Sequence, residues 1–169
     1  MHVVVSESRV LTALHEVGLV EDLFGTGHQF HAADIFLANV EIEARVQDTW
    51  VSGGLMIEEL SSADMMQLLD LRRANPSLCV GNAASLTLSL SQGYPVLVGN
   101  TGLATLPAAS VYGLLDLAWI MGEVEAIVPL DRLHQCIEAV VAKERRHLHS
   151  PEVAARLQSY LTTSSTNMR

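Results

Sequence analysis

Short apolar runs that stop abruptly at a polar or glycyl residue, with helix-like sequence between them, constrain this chain most. Val3-Val4-Val5 stops at Ser6, Cys79-Val80 at Gly81-Asn82, and Val96-Leu97-Val98 at Gly99-Asn100. Runs without polar alternation suit strands covered on both faces, the usual condition of a parallel sheet. The carboxyl ends of such strands are where open α/β sheets build their sites. Both Gly-Asn pairs are read as such strand ends. An Asp there could hold Mg²⁺, but an Asn supplies no charge.

The intervening sequence completes the pattern. Ser6 and Ser8 are placed to cap a helix with apolar positions Val10, Leu11, Leu14 and Val17, ending at Gly18. A short helix follows over Val20 to Phe24, and Phe30 with its neighbours forms the second strand. Helical sequence begins at Asp34 or Asn39 and surrounds Val40 to Val46. Trp50 to Ile57 contains Gly53-Gly54 and includes a short strand or extended piece. Ser61-Ser62 caps a helix that turns Met65, Met66, Leu68, Leu69 and Leu71 inward, and Asn75-Pro76 closes it. Ala83 to Leu90 is helical, Ser110 to Tyr112 a very short strand, and Gly113 to Met121 a buried helix. Pro129 opens a long amphipathic helix to about Arg146, and Ser150-Pro151-Glu152 opens a last one to Tyr160. Strands alternating with helices predict an α/β fold, a three-layer α/β/α sandwich around a parallel sheet. One domain over residues 1–161 and a polar tail over 162–169 account for the 169 residues.

A net charge of −9 disfavours loose, sequence-independent binding of nucleic acid, which needs a basic surface. Lys143, Arg145, Arg146, His147 and His149 form one local basic patch, read as a solvated helix end or a partner-facing surface. The start, Met1-His2-Val3-Val4-Val5-Ser6, lacks a basic segment before its valines and does not read as a signal peptide. No apolar stretch approaches a membrane span. Cys79 and Cys136 lack metal or redox spacing and read as reduced core thiols of a cytoplasmic protein.

Other signals are weak. His28-x-x-His31 and His147-x-His149 have no third ligand in sequence. Gly99-x-x-Gly102 lacks the third glycine and following acid of a dinucleotide fingerprint, and no G-x-S-x-G elbow occurs. Asp64 stands at capping-box spacing from Ser61, and Asp116 reads as a buried carboxylate inside an apolar helix.

In this order of elements the chain resembles the PIN domain family, in its VapC-type and VapC-like prokaryotic branch, over roughly Val3 to Val141. The opening strand and helix, Val3 to Leu11, carry the resemblance first. Glu41 with Ile42 and the helix after Leu60-Ser61-Ser62-Ala63-Asp64 continue it. Gly81-Asn82-Ala83-Ala84-Ser85-Leu86 is similar to the family's Gly-acid-x-x-x-Leu helix start. Leu97-Val98-Gly99-Asn100-Thr101-Gly102-Leu103 is similar to its Leu-Thr-Gly-Asp-x-x-Leu strand end. Val111 to Leu115 is similar to the short element that follows.

The resemblance implies a Mg²⁺- or Mn²⁺-dependent ribonuclease site, since hard cations that activate water need clustered carboxylates. The positions of the family acids hold Ser6, Glu41, Asn82 and Asn100, and only Glu41 is charged. Glu7 does not replace Ser6, because adjacent residues on a strand face opposite ways. The expectation is therefore an inactive PIN-like protein without a metal or other cofactor. It would bind an antitoxin-like protein or an RNA and form a homodimer, away from membranes. The alternative is an active toxin ribonuclease of a toxin-antitoxin pair, using Mg²⁺ or Mn²⁺ at an altered site around Glu41. A small-molecule binding module on a generic α/β sheet is a third reading, for which the sequence offers no fingerprint.

Overall fold

A computed structural model describes residues 1–40, 42–98 and 109–144, and positions 155, 158, 159 and 162. Its strands are β1 (His2–Val5), β2 (Gln29–Ala33), β3 (Leu55–Glu58) and β4 (Val96–Leu97). They form one sheet in the order β3-β2-β1-β4, and every pairing is parallel. The chain thus steps from β1 outward to β3 and returns on the other side of β1 for β4. The point where that direction reverses lies between β1 and β4, where α/β sheets open a crevice. The fold is α/β, with helices flanking the sheet as in a three-layer sandwich.

The helices are α1 (Ser8–Glu16), α2 (Val20–Phe24), α3 (Asp34–Ala38), α4 (Ala44–Gly53), α5 (Ser62–Ala74), α6 (Val80–Gln92), α7 (Leu117–Val124) and α8 (Leu130–Glu144). Phe24 of α2 meets Phe30 of β2 edge-on, with ring centroids 5.6 Å apart. α6 packs on β1, β2, α3 and α5. That burial explains its small, apolar sequence: Gly81 and every residue from Ala83 to Ser89 are buried. Gly93 ends α6 in the left-handed region (φ +70°), where a side chain would be strained. Gly54 (φ +126°) similarly turns α4 into β3.

Several expectations are corrected. Cys79-Val80-Gly81-Asn82 is not a strand end; Cys79 is the N-cap of α6, and its sulfur accepts the Asn82 N–H. A two-residue apolar run cannot distinguish a strand from the first helical turn. Neither Ser6 nor Ser8 caps α1: Glu7 occupies the cap position and Ser8 is already helical. The helix expected over Val40 to Val46 is split into α3 and α4. Ala109–Tyr112 is a 3-10 turn rather than a strand, although Leu115 bridges Leu97 in parallel. Asp116 is the half-buried N-cap of α7, accepting the Trp119 N–H at 2.8 Å. On α5 only Leu68 is buried; Met65, Met66 and Leu69 face solvent. Cys136 is buried, but Cys79 is exposed. The basic residues 145–149, the segment 151–154 and the tail 163–169 lie outside the described residues, as does the Lys143 side chain.

Candidate functional site

A cleft of about 340 Å³ opens at the carboxyl end of the sheet, just past β1 and β2. Glu7, Ser8 and Arg9 bring the start of α1 to it. Phe36 and Asn39 bring the end of α3, and Cys79, Gly81 and Asn82 the start of α6. Amide groups at the amino ends of α1 and α6 therefore border the same space. Cys79 occupies the capping position because its sulfur takes the Asn82 N–H, a donor without a partner inside the helix.

Ser6 does not join the described lining. It is fully buried, and its hydroxyl donates to the Leu97 carbonyl at 2.9 Å. Its own N–H donates to the same carbonyl at 3.2 Å. One acceptor on β4 thus holds both donors of a residue just past β1, at the reversal point of the sheet. Ser85 of α6 donates to the Val5 carbonyl at 2.9 Å, so the end of β1 is tied to sheet and helix by two buried hydroxyls. Buried hydroxyls require such partners, and these two have them. Strand alternation operates here as anticipated, but it turns Glu7 toward the cleft and Ser6 away from it.

Of the four positions that the family resemblance marks, the structure places Asn82 in the cleft and Ser6 in the sheet. Glu41 and Asn100 lie outside the described residues. The described donors, a neutral amide and a hydroxyl committed to a carbonyl, do not fit a hard divalent cation, which requires converging anionic oxygens. Among the described residues no group of three or more His, Cys, Asp or Glu side chains is arranged around a common metal position.

A second polar constellation was not visible in the sequence. His31, buried in β2, has both ring nitrogens engaged: Nδ1 lies 2.9 Å from Glu58 Oε1 and Nε2 lies 3.0 Å from His2 Nδ1. His28 instead meets Glu123 at 2.8 Å and does not share this site. Residues three apart along a strand direction face opposite ways, which separates the two histidines. The only sequence signal for the constellation is His31 interrupting the apolar β2; its partners lie 29 and 27 residues away.

Burial pushes the Cys136 thiol up from its ordinary range, and Arg132 only partly offsets that. Its sulfur donates to the Val17 carbonyl at 3.2 Å. Burial likewise raises the Tyr112 hydroxyl.

In comparisons with family models, curated proteins and solved structures, nothing matches the chain. No helix among the described residues is long and apolar enough to cross a membrane.

Proposed function

We propose that the protein is a PIN-like binding module whose cleft acts without metal catalysis, taking an antitoxin-like protein or an RNA as partner in the cytoplasm. The observation that carries this reading is the bonding of Ser6. At the reversal point of the sheet, a metal enzyme would present a carboxylate to solvent. Here a buried hydroxyl closes onto Leu97. Asn82 offers an amide to the cleft, able to donate and accept but not to bind a hard cation strongly. The cleft is open and half polar in character, suited to a partner group that exchanges hydrogen bonds with amide and hydroxyl edges.

Glu7 gives the alternative its footing. Glu7 lines the cleft, and the altered ribonuclease site of that reading would use it together with Glu41. Incubation of the purified chain with a broad panel of RNAs and Mg²⁺ or Mn²⁺ separates the two. The binding reading predicts intact RNA. Metal-dependent cleavage that disappears in both Glu41→Gln and Glu7→Gln would establish the alternative.

A further inference from the structure

Three adjacent strands place an ionisable chain on one face of the sheet. Val4 pairs with His31, His31 with Met56 and Ala33 with Glu58, so alternation puts His2, His31 and Glu58 on the same side. His31 is 4% exposed at its side chain, Glu58 41%, and His2 is exposed. Tyr94, just past α6, packs against both imidazoles, its ring centroid 4.7 Å from that of His2 and 5.1 Å from that of His31. The imidazole centroids lie 5.2 Å apart while the facing nitrogens are 3.0 Å apart, so the rings meet end to end.

The donor and acceptor count fixes what this chain tolerates. A carboxylate only accepts, so His31 Nδ1 carries a proton toward Glu58. The His2–His31 contact then needs one proton between its two nitrogens. With both rings neutral, His2 Nδ1–H donates to His31 Nε2. One added proton is accommodated, on His2 Nε2 or as a cationic His31 donating to His2, because either form keeps both bonds. A second proton leaves N–H facing N–H across 3.0 Å, with two cations in contact. The bond is lost, and the exposed His2 ring is the one free to turn to water.

We propose that Glu58, His31 and His2 form a proton-counting clasp that ties the edge strand β3 to the first strand and opens when the histidine pair takes up its second proton. Next to the clasp in sequence, the Met1 amine lies 3.4 Å from His28 Nδ1, and His28 pairs with Glu123. α6 has no ionisable side chain. On α3, Asp34 accepts the Ile35 N–H. On α4, which packs on β3, Arg45 and Asp48 are exposed, as is Glu59 beside Glu58.

Imidazole nitrogen NMR and backbone hydrogen exchange on the full chain, followed between about pH 8 and about pH 5 where histidine ordinarily changes charge, test the clasp. In the wild type, both rings become doubly protonated at the pH where β1 and β3 lose about tenfold in protection, as expected for one hydrogen bond of ordinary strength. His2→Gln, which retains a donor but takes no charge, keeps that protection to lower pH. Glu58→Gln, which removes the anion hydrogen-bonded to His31, likewise moves the loss to lower pH. Strand protection that falls while His31 Nε2 stays unprotonated would overturn the proposal. So would loss at the same pH in the wild type and both variants.

Discussion

Ser6 and Leu97 are joined twice, the Leu97 carbonyl accepting the Ser6 hydroxyl at 2.9 Å and the Ser6 N–H at 3.2 Å. This pairing gives position 6 a donor's role. Ser6→Ala keeps the N–H bond and is expected to lower stability by about 1 kcal/mol. Ser6→Asp, which restores the acid of the resembled family, sets a buried carboxylate against a carbonyl. Its expected cost is about 3 kcal/mol or more. Urea unfolding of the two variants checks the order; an aspartate variant as stable as the alanine one would show that position 6 can turn to the cleft.

Thr87 offers the opposite test of burial. It is fully buried in α6, and among the described residues its hydroxyl has no partner. Thr87→Val keeps the shape and removes the unsatisfied group, so stability should rise by about 1 kcal/mol, read as a higher melting temperature. A fall would indicate that the hydroxyl is satisfied in solution.

The two thiols should differ in reactivity. Cys79 is exposed at the cleft, whereas Cys136 is buried, bonded to Val17 and held protonated by its surroundings. At neutral pH iodoacetamide is expected to label Cys79 at least about tenfold faster, with Cys136 reacting on global unfolding or at alkaline pH. Peptide mapping of partially labelled protein gives the ratio, and equal labelling would contradict the burial.

On α5 the structure separates residues that look alike in sequence. Leu68 is buried, while Met66 is 58% exposed and Leu69 44%. Leu68→Ala should cost about 2 kcal/mol or more, and Met66→Gln or Leu69→Gln less than about 0.5 kcal/mol. The Ser61 capping box, in which Ser61 and Asp64 exchange bonds at 3.2 and 3.0 Å, predicts a loss of about 1 kcal/mol for Ser61→Ala. Chemical denaturation of the four variants provides the comparison. A large loss for Met66→Gln would mean that this face is covered in solution.

The parts of the fold that were legible in sequence are those governed by neighbours in sequence. Val3 to Val5, Phe30 with its neighbours, Val96-Leu97 and the Ser61–Asp64 box follow from local patterning and local bonds. α2 is likewise where its apolar positions put it. Cys79-Val80 reads as a strand end in sequence because sulfur at an N-cap is unusual and a two-residue apolar run has no period. The solvent-facing methionines of α5 were misread because helical spacing does not say which of two apolar faces is covered. At the candidate site, the bonds of Ser6 to Leu97 and of His31 to His2 and Glu58 join residues distant in sequence, and only folding brings them together. Asn82 borders a cleft that lies at the start of α6 rather than at the end of a strand.

The central claim is that the cleft works without a divalent metal. Thermal unfolding of the full chain in chelator, and again with Mg²⁺ or Mn²⁺ at submillimolar concentration, tests it most directly, because a metal that binds only the folded state raises the melting temperature. The account predicts superimposable transitions. A clear metal-dependent rise that Glu41→Gln or Glu7→Gln removes would contradict it.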